Sequence, residues 1–261
     1  MVDNQQENTR KVAMITGASS GIGKATALEL ARLGYSVAIG ARRTEALIEV
    51  KAEIEALGGE VFLQALDVTD VASATAFVEQ TMHHYGQIDV LVNNAGLAKG
   101  MSKVAEQQAE DDWQQMIETN VMGLLRMTRL VLPLMVKRNS GHIVNLGSTA
   151  GHEAYAGAAV YSATKFGVRA ISAALRQELL GHAVRVTLID PGMVETEFSL
   201  VRFSGDEERA ANVYARTTPL TAQDIADVIG FAVTRKAHVN LDDIILRPVD
   251  QASWGLVHRH S

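Results

Sequence analysis

A short apolar run, Val12-Ala13-Met14-Ile15, leads into Thr16-Gly17-Ala18-Ser19-Ser20-Gly21-Ile22-Gly23 and then into a helix-forming stretch over 24–31. Four apolar residues ahead of a glycine turn read as a parallel strand buried on both faces. Strand, glycine turn and helix in that order restrict the chain to α/β architectures, in which a helix starts beyond the carboxyl end of a strand. Gly17, Gly21 and Gly23 let the backbone turn sharply, approach a pyrophosphate and pack helix on strand. The helix N-terminus adds free N–H groups and a favourable dipole for an anion. The spacing G-x-x-x-G-x-G differs from the commoner G-x-G-x-x-G. Glycines also serve tightness alone in such turns, and the alternation downstream favours the nucleotide role.

Further strand-like runs follow at 36–40, 61–66, 88–92, 142–146, 184–189 and 243–247, with helical stretches between them. This alternation predicts one α/β domain over 11–261 after a polar lead at 1–10. Its expected form is a Rossmann-like, doubly wound seven-stranded parallel sheet with helices on both faces. The stretch 193–219 resists assignment and reads as a substrate loop or lid. Wide apolar faces over 112–138 and 166–180 suit core packing and subunit contacts alike.

The second run ends in Ala41-Arg42-Arg43, with no Asp or Glu between residues 36 and 44. Dinucleotide folds place a carboxylate near this point for the ribose 2′-hydroxyl of NAD, and an arginine for the 2′-phosphate of NADP. Guanidinium forks bind phosphate through charge-assisted bonds. NADP(H) is therefore expected over NAD(H), although two arginines can also simply start a solvated helix.

Tyr161-Ser162-Ala163-Thr164-Lys165 carries the chemistry, with Ser148 upstream in Gly147-Ser148-Thr149-Ala150-Gly151. On a helix Tyr161 and Lys165 share a face. An ammonium about 4 Å from a phenolate stabilises it by roughly 4 kcal/mol at an effective dielectric of about 20. That lowers a phenol by about three pKa units, toward the working range of a general acid or base. The Ser148 hydroxyl would hold a substrate oxygen beside that proton. By itself Y-x-x-x-K also occurs on ordinary surface helices.

Other polar features fall where strands end: Asp67-Val68, Asn93-Asn94-Ala95-Gly96, Ser148 and Pro191-Gly192. Open α/β sheets bind ligands at that edge, although Asn, Gly and Ser also favour plain turns. The chain has no cysteine, which excludes disulfides and thiolate chemistry and fits a reducing cytoplasm. Its polar start carries no apolar signal region, so secretion is not expected. No apolar run approaches a membrane span, and a net charge of −6 argues against non-specific nucleic-acid binding. The eight histidines show no ligand spacing, so no metal is assigned.

Over essentially its whole length the chain resembles the short-chain dehydrogenase/reductase family, in its compact branch. The likeness rests on Thr16-Gly17-x-x-x-Gly21-x-Gly23, Asn93-Asn94-Ala95-Gly96, Asn120, Ser148, Tyr161-x-x-x-Lys165 and Pro191-Gly192 with Thr196. The resemblance implies that Asn120 holds a water in a proton relay, Ser148 orients the substrate oxygen, Tyr161 exchanges the proton, and Lys165 tunes it and binds the nicotinamide ribose. It also implies a cofactor site that includes Gly17, Ser19, Ser20, Gly21, Ile22, Gly23, Arg42 and Arg43. Asp67 and Val68 would flank the adenine, Asn93 the adenosine side, and Pro191, Gly192, Val194 and Thr196 the nicotinamide end, with Ala95, Gly96 and Tyr161 also against the cofactor. A homotetramer is expected from the family.

Residues 141–151, 196–203 and 237–240 are similar to NADP-dependent serine and 3-hydroxy-acid dehydrogenases. The ending Arg247-Pro248-Val249-Asp250-Gln251 is shared with clavulanate-type aldehyde reductases. Only Met193-Val194-Glu195 separates Gly192 from Thr196, one residue fewer than in the hydroxy-acid enzymes, and Gly151-His152-Glu153-Ala154-Tyr155 also departs from their pattern. The expected function is NADP(H)-linked interconversion of a ketone or aldehyde with an alcohol, on 3-hydroxy acids or on neutral carbonyl compounds. His152, Glu153 and Arg202 are the candidate substrate residues, Arg202 for a carboxylate. A non-catalytic NADP-binding sensor is the alternative outside enzymology.

Overall fold

The computed structural model describes residues 10–99, 101–105, 110–203 and 205–261. The polar lead lies outside them except for Arg10. Strand β1 (Val12–Thr16) is followed by α1 (Gly21–Arg32), β2 (Ser36–Ala41), α2 (Thr44–Ala56), β3 (Val61–Ala65), α3 (Val71–Tyr85) and β4 (Val90–Asn93). Helix α4 (Glu110–Ile117) runs through a π-helical turn (Glu118–Gly123) into α5 (Leu124–Arg138), and β5 (Gly141–Leu146) follows. A 3-10 turn (Thr149–Gly151) precedes α6 (Ala159–Glu178) and β6 (Val184–Pro191). The chain closes with β7 (Val194–Glu195), α7 (Phe198–Arg202), α8 (Glu207–Tyr214), β8 (Leu220–Thr221), α9 (Ala222–Val233) and β9 (Asp243–Leu246).

Seven strands form one parallel sheet in the order β3-β2-β1-β4-β5-β6-β9. All seven runs expected from the sequence are in it. Strands β1 and β2 are buried at every position, as strands covered on both faces must be. On one face Ala27 and Leu30 of α1, Leu47 and Ile54 of α2, and Ile225 and Ile229 of α9 pack on the sheet. On the other lie Phe77 of α3, Met127, Val131 and Met135 of α5, and Leu175 of α6. The strand order reverses direction between β1 and β4, which opens a crevice beyond their carboxyl ends. Among the described residues no helix is long and apolar enough to cross a membrane.

Two expectations change. The span 112–138 is not one regular helix: its middle turn is π-helical, a form in which one extra residue bulges from the helix, frequently at functional sites. The stretch 193–219 is not structureless either. It holds β7, α7 and α8, and β7 pairs with β8. The Tyr214 hydroxyl ties these pieces together, donating to the Val194 carbonyl at 2.8 Å and meeting Ser199 Oγ at 2.5 Å. Elements this short owe their form to such long-range bonds and leave little periodic signal in the sequence.

Candidate active site

A crevice of about 430 Å³ lies along the carboxyl ends of β1, β2, β4, β5 and β6. Gly17, Ser19, Ser20, Gly21 and Ile22 form one wall of it. Gly17 and Gly21 sit at positive φ, +67° and +54°, where other residues are strained. A Cβ on Gly17 would lie 2.9 Å from the Ala95 Cα. Gly23 does not line the crevice: a Cβ there would come within 2.3 Å of the Gly17 carbonyl oxygen and 2.4 Å of Asn94 Nδ2. Its lack of a side chain lets α1 close on the turn, the packing role among the three glycines.

Ser20 caps α1 from extended backbone without a side-chain bond to the first turn. Its hydroxyl instead accepts from Arg43 Nη2 at 2.6 Å, and the same nitrogen reaches Ser19 Oγ at 3.3 Å and Glu197 Oε2 at 2.9 Å. The Arg43 guanidinium already holds one carboxylate here, with both serine hydroxyls beside it. The bond from Arg43, helped by Ser20, keeps the Glu197 carboxyl below its ordinary range. That donor set fits a phosphate. Arg42, Asp67 and Val68 line the same end. Burial pushes the Asp67 carboxyl up, but its bonds from the Thr69 amide and hydroxyl and the nearby Arg42 and Arg126 bring it below the usual value.

Asn93 is placed elsewhere. Its side chain is buried behind the crevice, donating to Thr128 Oγ1 at 3.0 Å and Asn145 Oδ1 at 2.9 Å. The crevice side belongs to Asn94, with Ala95 and Gly96. Asn94 Nδ2 donates to the Thr16 carbonyl at 2.9 Å, and Thr16 Oγ1 accepts from the amides of Asn94 and Ala95. Two adjacent residues leaving a strand face opposite sides, and the spacing alone does not say which faces the ligand.

At the far end stand Ser148, Tyr161 and Lys165, and Pro191, Gly192 and Val194 also line the crevice, whereas Thr196 lies against Gly21. Ser148 caps the 3-10 turn, its Oγ accepting from the Ala150 amide at 3.1 Å. Tyr161 is 7% exposed, and the Ser148 side chain acts to lower its phenol pKa. Lys165, buried one turn on, has its Nζ 5.8 Å from the Tyr161 ring centroid and donates to the Leu146 carbonyl at 2.9 Å.

The expected lowering of the phenol pKa is not what this geometry gives. Burial raises Tyr161 well above a free phenol, and Ser148 only partly offsets it. Lys165 is itself brought down to about 8 by burial, with the charge of Asp190 opposing. Desolvation is the largest influence on the phenol, and Lys165 spends a bond on the Leu146 carbonyl. Tyr161 therefore rests protonated.

Asn120 sits in the π-helical turn and is 2% exposed. Its Oδ1 accepts from the Leu97 amide at 2.9 Å, and its Nδ2 donates to the Leu97 carbonyl at 2.8 Å and Thr164 Oγ1 at 3.2 Å. The side chain thus joins the loop after β4 to α6, behind the crevice wall.

The three substrate candidates diverge. Glu153 is exposed and off the crevice wall. His152 turns away, its Nε2 2.6 Å from Asp190 Oδ2. Arg202 lies beside the crevice mouth next to Val201, its guanidinium carbon 5.0 Å from the Trp254 ring and 5.1 Å from Phe203. Its Nε is buried without a hydrogen-bond partner, and its charge acts on both Tyr161 and Tyr155. Tyr155 stacks on Trp254, centroids 3.6 Å apart. Asp190, Glu197 and Trp254 were not singled out from the sequence. The first two directly adjoin the Pro191-Gly192 and Thr196 positions that were.

A family model described as short chain dehydrogenase matches residues 11–206. The chain belongs to the short-chain dehydrogenase family. It is 44% identical over 251 residues to an NADP-dependent 3-hydroxy acid dehydrogenase of Schizosaccharomyces pombe, covering 95% of this chain and 96% of that one. It is 45% identical over 250 residues to the NADP-dependent 3-hydroxy acid dehydrogenase YdfG of Escherichia coli K12, covering 95% and 99%. Among solved structures, the closed form of serine dehydrogenase complexed with NADP+ superposes with a TM-score of 0.87 at 44% identity, over 95% of this chain and 99% of that one. This short-chain dehydrogenase thus shares its fold and near-complete length with those enzymes.

Proposed function

We propose that this protein is an NADP(H)-dependent oxidoreductase that interconverts a 3-oxo acid or related carbonyl compound with its 3-hydroxy acid. The observation that carries the reading is one crevice with Tyr161, Ser148 and Lys165 at one end and the anion-binding set of Arg43, Ser19 and Ser20 at the other. The relatives' names agree with it.

Gly17, Gly21 and the N-terminus of α1 would face the pyrophosphate, Arg42 and Arg43 the 2′-phosphate, and Lys165 the nicotinamide ribose. The bound nicotinamide supplies or takes the hydride. The remaining chemistry belongs to the chain. Ser148 donates to the substrate oxygen and fixes it against Tyr161. Tyr161 gives its proton to that oxygen as negative charge develops there, or takes it back when the alcohol is oxidised.

Arg202 supports the acid as substrate class. Its buried, unpartnered Nε is unusual for a guanidinium, and a substrate carboxylate at the crevice mouth would satisfy it. Arg202→Ala is expected to raise KM for a 3-hydroxy acid about 10-fold to 100-fold, the worth of one or two charge-assisted bonds. KM for the matched uncharged alcohol should change by less than about three-fold. Steady-state kinetics on the two substrates checks this. Equal changes on both would favour neutral carbonyl compounds as the substrate class.

Ile117, Met122 and Phe166 expose apolar surface from the α4–α6 region, which suits the subunit contacts of the tetramer expected from the family. A monomer in light scattering at micromolar concentration would contradict that assembly.

A further inference from the structure

Asp190 stands at the end of β6, 1% exposed, directly beneath the Ser148 turn. One carboxylate oxygen accepts from the Ser148 amide at 2.8 Å, and the other meets His152 Nε2 at 2.6 Å. Gly147 admits the carboxylate, because a Cβ there would lie 1.8 Å from Asp190 Oδ1. His152 directly follows the 3-10 turn that Ser148 caps. The carboxylate and the imidazole thus hold that turn from both its ends.

A buried carboxylate is a poor device for stability alone, since desolvation consumes much of what its bonds return. Its position suggests a different use. From α6 it is faced by Lys165 and Tyr161, and the charge of Asp190 acts to raise both. From β9 it is faced by Asp243, whose carboxylate is engaged by Arg169 at 3.5 Å and Arg176 at 3.6 Å. From the turn it is faced by His152. Burial raises the Asp190 carboxyl, and the bond and charge of His152 oppose that rise, with the Ser148 amide helping.

We propose that Asp190 and His152 are positioning residues for the reaction at Tyr161: the carboxylate fixes the Ser148 turn through its amide, and the imidazole fixes the carboxylate. The proposal rests on the reading of the crevice as a carbonyl-reducing site. Neither residue lines the crevice, so both act through Ser148 and through the field at Lys165 and Tyr161.

The test uses the full chain, NADPH and a carbonyl compound that the wild type reduces, with thermal unfolding and NADPH fluorescence titration run in parallel. His152→Ala is expected to lower kcat about ten-fold, the worth of one charge-assisted hydrogen bond, with NADPH affinity within about two-fold. His152→Gln places an amide nitrogen near the lost Nε2 and is expected to recover most of that loss. Asp190→Asn keeps the shape, and its amide oxygen still accepts from Ser148, so the fold is retained while the charge is removed. Removing a negative charge eases deprotonation of Lys165 and Tyr161. The alkaline limb of the reduction rate, set by whichever loses its proton first, should therefore move to lower pH by about half a unit to one unit. Two results overturn the proposal: His152→Gln no better than His152→Ala, or Asp190→Asn lowering the rate equally at every pH with the limb unmoved. A wild type that reduces no carbonyl compound overturns the functional reading, and this proposal with it.

Discussion

Tyr161→Phe is expected to lower kcat about a thousand-fold or more, within the range that a positioned general acid contributes. NADPH affinity should stay within about three-fold, because the substitution removes one hydroxyl and leaves the ring. That ring is packed with Leu97, Met116 and Ala150 in a small cluster at the crevice end, so Phe fills the same space without a cavity. The lost oxygen is the one on which Ser148 acts, and it is the proton donor in the proposed reaction. Stopped-flow NADPH oxidation together with fluorescence titration measures both quantities on one preparation. Retention of more than about a tenth of kcat would place the proton donor elsewhere.

The second large effect concerns the cofactor. Arg42→Ala combined with Arg43→Ala is expected to weaken NADPH by roughly two to three orders of magnitude, the worth of two bonds to a charged group. NADH affinity should change by less than about three-fold, because it lacks the 2′-phosphate that the pair reads. Part of the gross effect is discounted in advance. Arg43 is about half exposed and already bonded to Glu197, so NADPH must first take it from that carboxylate. Isothermal titration with both nucleotides distinguishes the outcomes. Parallel losses for NADPH and NADH would mean that the arginines shape the loop and do not read the phosphate.

How far the sequence speaks depends on what each residue answers to. The runs that became β1 and β2 were legible because strands covered on both faces are apolar throughout, and the glycines at 17 and 21 because their backbone angles admit little else. Tyr161 and Lys165 were legible as a pair because helix geometry puts them on one face. Their protonation was not: it depends on how completely neighbours seal the phenol and on the Leu146 carbonyl that captures Lys165, both set by chain segments distant in sequence. Asn93 and Asn94 differ by one strand position, and only the packing against Thr128 and Asn145 decides which faces inward. His152 is a candidate substrate residue in the sequence, yet a carboxylate 38 positions away turns it aside. The short elements after Met193 carry too few residues for periodicity and are held by Tyr214.

The most direct test of the account follows an isotope. With NADPH carrying deuterium at nicotinamide C4 on the transferred face, reduction of a 3-oxo acid should place deuterium on the carbinol carbon of the 3-hydroxy acid and none on its hydroxyl, as read by NMR and mass spectrometry. A product without carbon-bound deuterium, or NADPH consumed with no alcohol formed, would contradict hydride delivery to a carbonyl held between Ser148 and Tyr161.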